Sequence, residues 1–172
     1  MELRNFQTDL QQGFRFYLKV DDLYAAYIVD VARPEYTVNT QDYKLLNYYF
    51  NHPIDVSWNP IGFTIREVFS RDTPSSVGKV LMDKLTRGAY DYPSNIDTNR
   101  LKDLSKSVLM ESLGTVKIQM LDPDGEIYEE WTLHGAFITS VKFSPLNYSS
   151  DTLTDITVSL IYDWAELDYK PK

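Results

Sequence analysis

The sequence predicts an α+β domain, mainly antiparallel β: a sandwich or small barrel with one or two flanking helices inserted mid-chain. Three observations carry this. Both ends of the chain alternate apolar and polar residues with period two, the mark of half-buried strands. The middle, residues 73–113, changes to helical spacing. The 172 residues include 13 Tyr, 8 Phe and 3 Trp, and Tyr, Phe and Trp all favour strands. Runs of strands with segregated helices give a layered α+β domain. One domain spans 1–172, long enough to bury a real core.

The elements follow in order. Residues 1–13 read as a short helix, with Leu3, Phe6 and Leu10 at helical spacing and Gly13 as its stop, or equally as an arm. Phe14, Phe16, Leu18 and Val20 share one face of a strand. Asp21-Asp22 reads as a turn and Tyr24–Val31 as the returning strand of a hairpin. Tyr36–Thr40 is extended. Tyr43–Phe50 and Ile54–Trp58 read as two strands around a turn at Asn51-His52-Pro53, a protruding hairpin over 43–58. Ile61, Phe63, Ile65 and Phe69 align on the next strand.

Thr73-Pro74 opens a helix, an N-cap hydroxyl followed by proline at the first helical position, and Arg87-Gly88 closes it. Asp97 caps a second helix whose stripe is Leu101, Leu104, Val108, Leu109 and Leu113, ending at Gly114. Val116, Ile118 and Met120 return to period two. Asp122-Pro123-Asp124-Gly125 is a turn, with proline fixing φ and glycine accepting positive φ. Glu126–Leu133 returns with Ile127, Trp131 and Leu133 inward. Phe137, Thr139, Val141 and Phe143 form one face of a further strand, residues 145–152 a loop, and Ile156, Val158, Leu160 and Tyr162 the last strand. That makes about eight strands.

The chemistry read from the sequence is mostly exclusion. There is no cysteine, hence no disulfide, thiolate metal site or thiol nucleophile. No phosphate-binding glycine loop, nucleophile elbow or His-Glu-x-x-His occurs. His52 and His134 are isolated in turns. No catalytic residue, metal site or cofactor is predicted. Met1-Glu2-Leu3-Arg4-Asn5 lacks the basic and apolar regions of a signal peptide. Apolar runs fall far short of the roughly 20 residues that cross a bilayer, so no membrane insertion is expected.

Net charge is −8, which argues against a surface that grips nucleic acid. The charge concentrates at one end: residues 122–172 hold ten Asp or Glu against three Lys. Glu129 and Glu130, adjacent on a strand, point to opposite faces, and Asp122 and Asp124 are turn formers. A solvated acidic face explains most of these carboxylates, and a functional acidic surface is the sharper reading. The Tyr-rich hairpin Tyr43–Trp58 holds more aromatic surface than a turn element needs. It either completes the core or contacts another subunit.

Trp131–Phe143, a loop, and Asp155–Trp164 with its closing Tyr162-Asp163-Trp164 resemble the ending of tail tube proteins of contractile-tailed bacteriophages. Asp42–Arg66 is similar to that family's hairpin and following strand. The likeness covers about 110 of the 172 residues and extends to type VI secretion tube proteins. The stretch 71–113 is longer than the family's single helix.

The resemblance implies a structural, non-enzymatic role. Six copies form a ring, the inner strands close one barrel, and stacked rings make a tube through which DNA passes during ejection without specific binding. The implied partners are further copies of the chain, tail sheath, baseplate, tape-measure and tail-terminator proteins. The implied place is the virion tail, assembled in the bacterial host cytoplasm. On this reading Glu126, Glu130, Asp155 and Asp163 are candidates for an acidic lumen that repels phosphate. Tyr43, Tyr48, Tyr49, Phe50, Ile54, Val56 and Trp58 are candidates for contact between subunits or rings. Two other roles stay open: a tube-initiating baseplate or tail-terminator ring, and a β-sandwich module that binds carbohydrate or a receptor.

Overall fold

The computed structural model describes residues 15–21, 28–67, 76–88, 90, 105–148 and 153–170. The predicted N-terminal helix or arm, the Thr73-Pro74 helix start and the Asp97 cap lie outside them. The described elements run β1 (Phe16–Val20), β2 (Ile28–Val31), β3 (Tyr36–Leu45), β4 (Tyr48–Trp58), β5 (Ile61–Arg66), α1 (Val77–Arg87), α2 (Lys106–Leu113), β6 (Val116–Leu121), β7 (Ile127–His134), β8 (Phe137–Phe143), β9 (Asp155–Ile161) and β10 (Trp164–Tyr169).

Two four-stranded sheets, ordered β1-β6-β7-β10 and β2-β5-β9-β8, share one core, and β3-β4 stands as a third, two-stranded sheet. Every strand pair is antiparallel. The core draws Leu18, Val20, Val116, Ile118 and Leu133 from the first sheet, and Ile61, Phe63, Ile65, Ile156, Val158 and Leu160 from the second. Each set sits at period two, so each sheet buries one face and leaves the other to solvent.

The helices begin at serines. The Ser76 hydroxyl accepts from the Lys79 N–H (3.3 Å) and the Ser105 hydroxyl from the Val108 N–H (3.4 Å), satisfying otherwise orphaned donors. Leu81 and Leu113 plug into the core. Lys84 is buried on α1, and its ammonium donates to the carbonyls of Ser112 (3.1 Å) and Leu113 (3.4 Å) at the end of α2. A cation there meets the partial negative charge of a helix C-terminus. Gly114 ends α2 at φ 75°, as its position predicts.

Four expectations change. β1 and β2 are not a hairpin: β1 pairs with β6 and β2 with β5, in different sheets. The two apolar faces lie on opposite sides of the core, which local alternation does not reveal. A bulge between Ile138 and Ser140 resets β8, so Ile138 pairs with Leu160 while Phe137 turns to the outer face. The turn predicted at Asn51-His52-Pro53 is strand, and the hairpin turns at Leu46-Asn47. The chain also does not end its strands at Tyr162. β10 follows as the edge partner of β7, its acidic, exposed sequence hiding the alternation.

Candidate assembly surface

The hairpin is where sequence and protomer part company. Every residue of β3 is exposed, and every residue of β4 up to Ser57. Yet its side chains are those of a core. Tyr43 is 61% exposed, Tyr48 70% and Leu46 83%. Tyr49, Phe50, Ile54 and Val56 are exposed as well. Monomeric proteins rarely leave so much contiguous apolar surface in water. Two strands alone are marginal as an independent unit, so the hairpin is held by its root.

Trp58 is that root. It is half-buried, with its ring 5.4 Å from Tyr36 and 5.8 Å from the core residue Tyr162. The Asn59 N–H donates to the Glu35 carbonyl (2.9 Å) where the two strands leave the body. Of the seven predicted contact residues, six are exposed on the hairpin and Trp58 packs inward. The prediction missed Tyr36, Val38, Leu45 and Leu46, all exposed on the same element. The Leu45-Leu46 pair was the available signal, masked by placing the turn five residues too late.

The four predicted lumen carboxylates do not share a surface. Glu126 is exposed at the β6–β7 turn, its N–H donating to Asp122 Oδ1 (2.9 Å). Glu130 lies on the outer face of the first sheet but is buried, with Lys117 Nζ at 2.9 Å and the Gln119 amide also donating to it. Hydrogen bonds from Lys117 and then Gln119 hold its carboxyl below the usual range, against the opposing effect of burial. Asp155 lies on the outer face of the second sheet, paired with Arg66 (3.0 Å). Asp163 lies at the β9–β10 corner, with Lys106 Nζ 2.6 Å from Oδ2. The four lie at different places on the molecule, and three of them have a cation beside them: Glu130 has Lys117, Asp155 has Arg66 and Asp163 has Lys106. Spacing along a strand placed the carboxylates but not the lysines and arginine that meet them.

The outer faces of the two sheets differ in kind. On the second sheet the outward residues of the two central strands include Gly62, Thr64, Thr157 and Ser159, with Ser140 on β8. On the first sheet they are long and charged: Tyr17, Lys19, Lys117, Gln119, Glu166 and Asp168. At its corner His134 stacks on Trp164 with centroids 3.7 Å apart. Among the described strands the sheet edges are β1 and β10 in the first sheet and β2 and β8 in the second.

Among the described residues no group of three or more His, Asp or Glu is arranged to hold a metal ion. Among the same residues no helix is long and apolar enough to cross a membrane.

Solved structures share this arrangement over nearly the whole chain. A chain from the sheath–tube complex of an extracellular contractile injection system superposes with TM-score 0.64 at 17% identity, covering 95% of each chain. The chain has the tail-tube fold. A chain of the anti-feeding prophage baseplate, solved with six-fold symmetrisation, gives TM-score 0.66 at 11% identity over 94% of this chain and 97% of that one. Hcp1 from Flavobacterium johnsoniae gives 0.52 at 11% identity over 91% and 97%. No protein-family model matches the chain, and no curated protein matches it. The expected fold class, mainly antiparallel β with helices inserted mid-chain, is the one found, and the tail-tube likeness read from the sequence agrees with these neighbours.

Proposed function

We propose that the chain is a non-enzymatic structural subunit whose copies form rings that stack into a hollow tube. The observation that carries this is the hairpin: an exposed ribbon of core-like side chains, rooted in the body and covered by none of the described residues. Copies of the chain are the partner that removes such a surface from water in every subunit at once.

The sheets support ring closure. Each has four strands, all antiparallel, so its two edge strands run in opposite directions. Joining β8 of one copy to β2 of the next continues the antiparallel pattern without a mismatch, and closure removes the exposed edges. Six copies are the number the tail-tube likeness implies. The second sheet is the better lumen wall, because its outward Gly62, Thr64, Thr157, Ser159 and Ser140 offer short, largely uncharged side chains. Asp155 then faces the lumen neutralised by Arg66, and a polyanion such as DNA passes without being gripped. On this reading sheath, baseplate and terminator proteins dock on the outside and ends, and the tube belongs to a phage tail or phage-like particle. A terminating ring is the second reading, because a chain of the anti-feeding prophage tube-terminating cap superposes equally well, at TM-score 0.64.

Negative-stain electron microscopy of the purified protein across a concentration series tests the proposal. Hollow rings or rods are expected. Uniform small particles at every concentration would contradict it. Single rings that never stack would favour the terminator.

A further inference from the structure

We infer that the β3–β4 hairpin docks with two opposite faces on two different neighbouring copies of the chain, its base on one and its tip on another. This rests on the self-assembly proposed above and goes beyond it.

The register carries the inference. In β3 the apolar residues near the base are Tyr36 and Val38, while those near the tip are Tyr43 and Leu45. Even and odd positions of a strand face opposite sides, so the apolar surface changes face partway along the ribbon. In β4 the apolar residues other than Tyr49, namely Tyr48, Phe50, Ile54, Val56 and Trp58, are all even, one continuous face on an unbroken strand. The bulge between Asn39 and Thr40 divides them. Val56 and Trp58 pair with Val38 and Tyr36, whereas Phe50 and Tyr48 pair with Tyr43 and Leu45. Directly opposed residues share a face, so the base patch and the tip patch lie on opposite sides of the ribbon.

The backs of the two patches differ: the base has a polar back, and the tip has Lys44 over the exposed Tyr49 ring. Behind the base, Asn39 Nδ2 donates to Asp55 Oδ1 (2.6 Å) and Ser57 Oγ (3.4 Å). Behind the tip, Lys44 Nζ lies 5.3 Å from the Tyr49 ring centroid. Because the two patches face opposite ways, no single flat partner covers both.

The tip also carries strain that the protomer does not repay. Leu46 sits at φ 55°, in the left-handed region that disfavours a leucine, and is 83% exposed. With Tyr43, Leu45, Tyr48 and Phe50 it presents roughly 600 Å² of exposed side chain, on the scale of 150–250 Å² per aromatic. A standard interface takes about 800 Å² from each partner. The tip patch therefore supplies most of one interface, and the base patch adds to another. A second and third copy are the occupants that account for both patches.

The absence of cysteine gives a clean test, since an introduced thiol is the only one in the chain. Phe50→Cys and Val56→Cys, each labelled with a benzophenone maleimide, are assembled from mixed light and heavy-isotope chains and photolysed. Intermolecular crosslinks to two non-overlapping segments are expected. Crosslinks to the same segment, or within one chain, overturn the inference while leaving tube formation intact. An unmodified chain that never forms rings or rods overturns the assembly reading, and this inference with it. As a second readout, Phe50→Lys and Val56→Lys should each raise the critical concentration at least tenfold and stall assembly at species of different mass. The same stalled species from both, or unchanged assembly from either, also overturns it.

Discussion

The sandwich body and the hairpin spell the same kind of pattern and meet opposite fates. In β5, β6 and β9 the alternating apolar residues are all buried, several with no exposure at all. In β3 and β4 a comparable density of Tyr, Phe, Leu, Ile and Val is exposed almost throughout. The body's pattern is answered within one protomer. The hairpin's pattern is answered by none of the described residues of the same chain, and on the proposed reading it is answered by neighbouring copies. A strand-like apolar pattern reports what a segment must cover, not whether the same chain supplies the cover.

Substitutions separate the two regions. The largest effect belongs to the core. Phe63→Ala removes a ring that is 1% exposed between the sheets and should cost about 3–5 kcal/mol, read as a lowered urea midpoint. Phe50→Ala in the hairpin should change monomer stability by less than about 0.5 kcal/mol while strongly weakening assembly. Equal losses of stability in the two variants would dissolve the distinction.

Gly135→Ala comes next. Gly135 lies at φ 69°, and an added Cβ would collide with the Asp163 carboxylate. Strain and displacement together should cost about 1–3 kcal/mol and disturb the corner into β10, seen as loss of near-ultraviolet signal from Trp164.

Glu130→Gln follows, at about 1–2 kcal/mol, because it removes charge-assisted bonds to Lys117 and Gln119. The folded carboxyl titrates below its ordinary value. Its stabilisation is therefore complete above the unfolded value and is lost as pH falls through the folded one. The difference between native and Glu130→Gln midpoints should be full at pH 7 and shrink on acidification. A difference that persists unchanged at acid pH would remove the ion pair as its cause.

A small effect of opposite sign is at Leu46. Leu46→Gly should relieve the positive φ and steady the isolated hairpin by about 0.5–1 kcal/mol, while weakening assembly. A glycine variant that assembles better than the native chain would mean that the leucine contacts nothing.

Much of the body was legible in the sequence because its faces obey period two. Leu18, Val20, Ile61, Phe63, Val116, Ile118, Ile156 and Val158 are all where alternation put them. Pairing was not legible: alternation says which face a residue takes and nothing about which strand lies beside it, so β1 and β2 were joined wrongly. Bulges hid the rest. One at Thr139 turned Phe137 outward, and one at Ile54 split the apolar stripe of β4 between two faces. The aromatic excess of the hairpin was legible because its composition exceeds what a turn requires, and the structure leaves most of those side chains exposed. The cations beside the acidic residues were not legible, because Lys117, Arg66 and Lys106 lie at a distance from them in sequence.

Amide hydrogen exchange of the free and the assembled protein tests the central claim most directly. The hairpin amides of residues 36–58 should exchange quickly in the free chain and gain strong protection on assembly, while the buried strands β5, β6 and β9 remain protected in both states. A hairpin that exchanges equally fast before and after assembly would contradict the claim that its exposed faces are made for neighbouring copies.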